Sequence, residues 1–259
     1  MKQTADPHAP LAGATIVITR PSGMSSAPAR AVRALGGRSL CLPGLSLRPL
    51  RVAEKRPAKR GFDLWIFTSP AAVRFGAALL PTRRMRAGIE AFAVGEGTAR
   101  ALARHGIRAQ IPRERSDSEG LLSITALAKV RGRRIALVGA PGGRNRIAPV
   151  LRRRGAEVAV LDVYERVRPR LTRRHFDAIE AAGDPLVMLV SSAEALGNLV
   201  ALLPPKTLAR LRGQIVVVSS ERLAAIAHRQ HFGEVVLARS AMPRDLLAAA
   251  AAALARHRL

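Results

Sequence analysis

Short apolar runs alternate with amphipathic segments along almost the whole chain. Each run is rich in Val, Ile and Leu and is bounded by Gly, Pro, Ser or Arg, as expected for strands buried on both faces. The intervening segments repeat apolar residues at helical spacing. This alternation predicts an α/β fold with parallel sheets covered by helices. The strand-like runs lie in ATIVIT, DLWIFT, EAFAVG, RAQIP, RIALVG, PLVMLVS, QIVVVS and EVVLA.

Helical spacing predicts helices over residues 25–35, 71–80, 98–105, 146–153 and 220–231. Glycine is a common helix stop because it adopts the left-handed conformation without strain. Four glycines follow these segments and are expected to end them: Gly36, Gly106, Gly155 and Gly233.

The same order of motifs occurs twice. Segments 16–37, 66–75, 91–106 and 116–122 resemble segments 136–156, 188–199, 216–233 and 242–247, in this order. The matched positions stay about 120 residues apart. Two copies of a block of four βα units explain this order most simply.

Two segments depart from the βα pattern. Residues 42–59 contain three prolines and no helical period, and residues 158–169 are extended and β-rich. A chain of 259 residues is expected to form about two domains. Both segments are long enough to connect them.

The charge is strongly basic. Lys and Arg number 43 against 18 Asp and Glu, a net charge of +25, and five of the 43 are lysines. The electrostatic field of a protein with this net charge attracts polyanions, such as nucleic acid, phosphates or polycarboxylates. A codon bias towards G and C would inflate Arg, Ala and Leu and explain the same excess. Charge alone therefore indicates an anionic partner without identifying it.

Several classes of protein and site are excluded. The single cysteine, Cys41, excludes an internal disulfide and a Cys-rich metal site, and the six histidines are scattered. No Walker, dinucleotide-binding or nucleophile-elbow motif occurs. The apolar runs are too short for a membrane span, and the first residues lack the apolar core of a secretory signal. We expect a cytoplasmic protein that needs no cofactor or metal.

Small polar residues follow the predicted strands where helices begin. Ligands of open α/β sheets bind at this edge, where helix N-termini offer N–H groups to carboxylates or phosphates. Helix capping is the preferred explanation for any single position, but several positions on two matched blocks favour one large ligand with several anionic groups. In GAPGGRNR the glycines Gly142 and Gly143 allow a ligand to approach the backbone closely. Arg144 can donate two parallel hydrogen bonds to a carboxylate. The candidate binding residues are Arg20, Ser69, Gly95, Thr98, Ser118, Gly142, Gly143, Arg144, Ser191, Ser192 and Ser220.

Taken together, these motifs resemble the uroporphyrinogen-III synthase family. The matching pieces run from residue 19 to about residue 247 in the family's order. Each motif alone is a weak match to the family, and the resemblance rests on the order and spacing of the motifs. The pieces are TRP, DLWIFTSPAAV, FAVGEGTARAL, SDSEGLL, GAPGGR, VYER, LVSSAEALGNL and VSSERLAAIA.

The resemblance implies two doubly wound α/β domains joined by a two-stranded β-ladder, with the active site in the cleft between them. The first domain is expected to be discontinuous, with residues 1–42 and 167–259, and the second to cover residues 46–163. The connectors are expected near 43–48 and 160–166, and the protein is expected to be a monomer.

The resemblance also implies a reaction. The substrate is hydroxymethylbilane, a linear tetrapyrrole with eight carboxylates, which closes with loss of water and inversion of its last ring to give uroporphyrinogen III. Tyr164, the only tyrosine, matches a cleft tyrosine that helps the hydroxyl leave, and Thr98 matches a cleft threonine. From the residues alone, Tyr164 is equally compatible with a surface filler. Ala71 stands where the family often has Asn, and Glu221 adds a negative charge beside Ser220.

Two other classes of protein remain as alternatives. A nucleic-acid-binding protein would explain the charge directly, but aromatic residues make up only 3% of the chain, so stacking platforms are scarce. A two-domain small-molecule binder without turnover would use the same connectors as a hinge.

Overall fold

The computed structural model describes residues 9–50, 61–79, 90–115, 117–142 and 146–257. The strands are β1 (Thr15–Ile18), β2 (Arg38–Cys41), β3 (Ser46–Pro49), β4 (Leu64–Phe67), β5 (Glu90–Ala93), β6 (Ala109–Gln110), β7 (Arg134–Gly139), β8 (Glu157–Asp162), β9 (Tyr164–Val167), β10 (Leu186–Val190), β11 (Ile215–Val218) and β12 (Glu234–Leu237). The helices are α1 (Ser26–Ala34), α2 (Pro70–Gly76), α3 (Glu96–Ala103), α4 (Ser118–Leu122), α5 (Thr125–Ala128), α6 (Ile147–Arg153), α7 (Arg173–Glu180), α8 (Ala193–Leu202), α9 (Pro205–Arg212), α10 (Glu221–Arg229) and α11 (Pro243–Arg256).

The chain divides into two compact units. The first unit combines Met1–Leu47 with Val167–Leu259, and the second is Arg48–Arg166. Strands β3 and β9, which form a separate two-stranded antiparallel sheet, contain the two points at which the chain passes between the units. The predicted fold class, two parallel-sheet α/β domains with a ladder between them and a discontinuous first domain, is confirmed.

The first unit is built on a parallel sheet in the order β12-β11-β10-β1-β2. Successive residues of a strand point to opposite faces, so a sheet covered on both sides needs apolar residues at every position. In β1, Ile16 and Ile18 pack into the core that contains the apolar residues of α1 and α11. Val17 packs into the opposite core, which contains those of α8, α9 and α10.

The second unit has a parallel sheet in the order β6-β5-β4-β7-β8. Strand β4 shows the same burial on both faces. Leu64 and Ile66 join one apolar core, whereas the rings of Trp65 and Phe67 stack with centroids 6.2 Å apart.

The internal repeat of the sequence corresponds to this topology. The matched pairs of strands are β1 with β7, β10 with β4, and β11 with β5, and they occupy the same positions in the two sheet orders. Each unit therefore combines the first βα element of one sequence copy with the later elements of the other copy. This exchange explains why a tandem repeat gives a discontinuous first unit.

Three of the four predicted glycine stops are confirmed. Gly36, Gly106 and Gly155 have φ values of +81°, +74° and +85°. The prediction for Gly233 is wrong, because α10 ends at Arg229 with Gln230 as its C-cap, and the left-handed residue that follows is His231, with φ +62°. The turn comes directly after the helix cap, so Gly233 lies too far along the chain to provide it.

The second predicted connector is shorter than the sequence suggested. Residues up to Asp162 belong to β8, which pairs with β7 from Glu157 to Asp162. Within the predicted connector, this leaves β9 and its flanking residues outside the two large sheets.

Candidate active site

Each sheet has one position where the chain reverses its direction of strand addition, and ligands of such sheets bind at the carboxyl ends of the two strands there. In the first unit this switch point lies between β1 and β10, which are followed by Arg20, Ser191 and Ser192. In the second unit it lies between β4 and β7, which are followed by Ser69 and by the glycine-containing residues 140–142. Many of the predicted binding residues therefore lie at the two switch points.

The second unit has a cavity of about 540 Å³ at its switch point. Of the predicted residues, Ser118 and Gly142 line it. Gly95 and Thr98 do not, although Val94, which precedes them, does. Five polar lining residues are not among the predicted binding residues. Thr68 follows β4, Asp162 ends β8, Asp117 and Arg146 are the N-caps of α4 and α6, and Arg152 lies in the last turn of α6.

The cavity contains both charged pairs and a separate cation. Arg146 Nη1 donates to Glu119 Oε1 at 2.6 Å, so its charge is already balanced. Arg152 Nη2 donates to the Val158 carbonyl at 3.0 Å, and no carboxylate of the described residues forms an ion pair with it. Arg152 is therefore the lining cation that is available to an anionic ligand.

The glycine turn approaches its neighbours closely. A side chain at Gly139 would place its Cβ 2.8 Å from Thr68 Oγ1, so any other residue where β7 leaves the sheet would require Thr68 to move. Gly142 has φ +76° and is exposed, and Arg166 Nη2 donates to the adjacent Pro141 carbonyl at 3.4 Å. The predicted residues Gly143 and Arg144 lie outside the described residues.

Tyr164 begins β9 and contacts α2. Its hydroxyl lies 3.0 Å from Ser69 Oγ, and its ring stacks on Phe75 with a centroid distance of 5.5 Å. The residue is only 6% exposed. The structure thus brings two predicted site residues, Tyr164 and Ser69, into direct contact.

Several predicted binding residues also cap helices. Ser69, Ser192 and Ser220 accept hydrogen bonds from the backbone N–H groups three residues later, at 3.0 to 3.3 Å. Before α4 the cap is Asp117, which accepts from Gly120 N at 2.9 Å, so Ser118 is the first residue of the helix. A serine that accepts one bond keeps its proton for another partner, so capping and ligand binding are compatible.

Arg20 carries the positive charge at the switch point of the first unit. It lines a small cavity together with Ser191, and its Nη2 donates to the Ala241 carbonyl at 2.8 Å. Burial lowers the pKa of the Arg20 guanidinium below its ordinary value. Within the described residues no carboxylate forms an ion pair with Arg20, so this half-buried cation finds no counter-ion among them.

Gly95 and Thr98 lie one strand away from the switch point of the second unit. Gly95 is the extended N-cap of α3, and its carbonyl accepts from Thr98 N at 3.0 Å. Thr98 is 4% exposed, which places its side chain in the packing of the first turn.

The parts of the chain that the structure describes contain neither a metal-binding cluster nor a membrane-spanning helix. No group of three or more His, Cys, Asp or Glu side chains there is placed to hold a metal ion. None of the helices described there is long and apolar enough to cross a membrane.

Comparison with known proteins identifies the family. The family model for uroporphyrinogen-III synthase HemD matches residues 26–248. The chain belongs to the uroporphyrinogen-III synthase family. Uroporphyrinogen-III synthase of Salmonella typhimurium is 31% identical over 249 residues, which cover 91% of this chain and 99% of that protein. The Escherichia coli uroporphyrinogen-III synthase is 30% identical over 251 residues, with the same coverage.

The fold agrees with this assignment. The crystal structure of uroporphyrinogen-III synthetase from Helicobacter pylori aligns with a TM-score of 0.62 at 15% identity, covering 92% of this chain and 99% of that one. The predicted enzyme class, a uroporphyrinogen-III synthase of porphyrin biosynthesis, is confirmed, and the nucleic-acid-binding and binder alternatives are not favoured. The individual roles of Tyr164 and of the binding residues remain predictions.

Proposed function

We propose that this chain converts hydroxymethylbilane into uroporphyrinogen III, with Tyr164 as the proton donor to the leaving hydroxyl. The observation that carries the proposal is the pair of hydroxyls of Tyr164 and Ser69, 3.0 Å apart, at the carboxyl edge of the second sheet. A phenol is protonated near neutral pH and can act as a general acid. Incubation with hydroxymethylbilane and identification of the product isomer test the proposal.

The reaction needs no proton donor or acceptor besides Tyr164, because the phenol regains the proton that it gives up. Tyr164 gives its proton to the substrate hydroxyl, the C–O bond breaks with its electron pair on oxygen, and water leaves an azafulvenium cation. A carbon of the last pyrrole ring attacks this cation to form a spirocyclic intermediate, which opens and closes again with that ring inverted. The carbon that forms the final bond loses its proton, and this proton returns to the Tyr164 phenolate.

Selectivity requires positioning more than strong acid catalysis. The substrate loses its hydroxyl readily, and in free solution the chain closes without inversion. An enzyme that holds one conformation decides which carbon attacks, and such positioning contributes several kcal/mol in well-oriented reactions. Carboxylate groups along the substrate provide the points at which it can be held.

Arg20 is proposed to hold one of these carboxylates. A charge removed from water without a partner is unfavourable, and a carboxylate would supply both the counter-ion and charge-assisted hydrogen bonds. Arginine remains protonated in proteins even when burial lowers its pKa, so the group stays cationic at neutral pH. The N–H groups at nearby helix starts provide further donors.

Replacement of Arg20 by glutamine is expected to raise KM about tenfold and to change kcat less. Loss of a hydrogen bond to a charged group corresponds to about 1.5 kcal/mol or more. The matched control is Arg30→Gln, which removes the same charge from an exposed position on α1. Steady-state kinetics that show equal KM increases for both variants would contradict a specific contact at Arg20.

KM for hydroxymethylbilane is expected to rise with ionic strength. Exposed charges are screened beyond about 8 Å at physiological salt, so attraction between a basic surface and eight carboxylates weakens as salt is added. Rates are to be measured across a salt series at constant pH. A constant KM would mean that the net charge of +25 is incidental to substrate binding.

The monomeric state and the cytoplasmic location expected from the sequence remain predictions. Sedimentation of the purified protein tests the first of them.

A further inference from the structure

Helix α2 holds Tyr164 at both ends of its side chain. Phe75, near the end of the helix, stacks on the ring with an interplanar angle of 25°, and Ser69, its N-cap, contacts the hydroxyl. Because ring and hydroxyl are both fixed to one helix, the direction of the phenol O–H depends on the Ser69 hydroxyl.

The hydrogen bonds of Ser69 determine that direction. Ser69 Oγ accepts from Ala72 N at 3.0 Å, which occupies one of its two lone pairs and leaves its proton free. Among the described residues, Tyr164 Oη is the remaining partner of Ser69 Oγ. Donation from Ser69 to Tyr164 therefore satisfies the serine proton and continues a chain from Ala72 N–H through Ser69 O–H to the phenol oxygen. Bonds in such a chain strengthen one another by polarisation.

We propose that Ser69 is a positioning residue whose hydroxyl donates to Tyr164 Oη and directs the phenol proton to the leaving hydroxyl of the substrate. This inference rests on the proposed function. Once the phenol has given up its proton, negative charge develops on Oη, and the fixed Ser69 donor stabilises it. A preorganised donor at a developing charge acts more strongly on the transition state than on the ground state.

A double-mutant cycle tests the inference with Ser69→Ala, Tyr164→Phe and the double variant. Ser69→Ala is expected to lower kcat about tenfold with KM changed less than about twofold. In the Tyr164→Phe background the same substitution is expected to have no further effect on kcat, because the phenol through which Ser69 acts is gone. Ser69→Thr keeps the hydroxyl and is expected to restore kcat.

Ser69→Ala also removes a helix cap, so a cap control is needed. Thr172 is the N-cap of α7 in the other unit, and its hydroxyl lies 2.9 Å from His175 Nδ1. Thr172→Ala is expected to leave kcat unchanged. An equal loss of kcat in Thr172→Ala, or independent effects of Ser69→Ala and Tyr164→Phe, would overturn the positioning role. A rise in KM alone would assign Ser69 to direct substrate binding instead.

A second readout does not depend on turnover. Tyr164 is the only tyrosine, so the tyrosine bands of the second-derivative absorption spectrum report on its hydroxyl alone. These bands are expected to shift in Ser69→Ala and to stay in place in Ser69→Thr and Thr172→Ala. An unshifted band in Ser69→Ala would overturn the inference even if the wild type forms uroporphyrinogen III. Failure of the wild type to form that isomer would instead overturn the proposed function.

Discussion

Replacement of Tyr164 by phenylalanine is expected to lower kcat about 10- to 100-fold and to leave uroporphyrinogen III as the product. General acid catalysis typically accelerates a reaction about 10² to 10⁴-fold. For a good leaving group we expect an acceleration at or below the lower limit of this range. Phenylalanine keeps the ring that stacks on Phe75, so the local packing persists. Initial rates and the ratio of product isomers are the measurements.

Two results would contradict this account of Tyr164. A folded Tyr164→Phe variant without any activity would make the phenol obligatory, so positioning of the substrate would contribute too little. An unchanged rate would mean that the acid is another group or water. Thermal unfolding of the variant distinguishes loss of activity from loss of fold.

Replacement of Gly120 by alanine is expected to destabilise the protein by about 1 to 3 kcal/mol, the usual range for overpacking. A methyl group at Gly120 would overlap the Arg115 carbonyl oxygen, a backbone atom that cannot turn aside as the end of a flexible side chain can. Gly120 N also donates to the cap Asp117, which lines the cavity of the second unit. We therefore expect lower thermal stability together with a raised KM.

Gly197→Ala is the matched control for this substitution. Gly197 lies inside α8, and a Cβ there would meet no atom within 4 Å. Alanine favours a helix over glycine by about 0.8 to 1 kcal/mol, so this variant is expected to be slightly more stable than the wild type. Equal stability of Gly120→Ala and the wild type in thermal unfolding would show that the loop around Arg115 moves to accept the methyl group.

The central strands of the sheets could be predicted because each is apolar on both faces. Among the edge strands, β6 and β12 were predicted, but β2 could not be recognised in the same way. Its terminal residues Arg38 and Cys41 are exposed, so it has no uninterrupted apolar run. The edge strand β8 begins at the exposed Glu157, and its apolar residues were assigned to the second connector instead. An edge strand is partly open to solvent, which removes the pattern that identifies a buried one.

Much of the candidate site could also be located from the sequence, because strand ends and helix starts carry recognisable polar residues. Contacts between distant segments could not. Ser69 and Tyr164 are 95 positions apart, and no local pattern indicates that α2 contacts the start of β9. That Arg20 has no carboxylate partner among the described residues is likewise visible only when its three-dimensional surroundings are known.

The isomer of the cyclised product shows directly whether this chain closes hydroxymethylbilane with inversion of the last ring. Purified protein is incubated with hydroxymethylbilane beside a protein-free control, and the products are oxidised and separated. We expect uroporphyrin III in the reaction with the protein. We expect uroporphyrin I in the control, where the chain closes spontaneously. Uroporphyrin I alone in both reactions would contradict the proposed function.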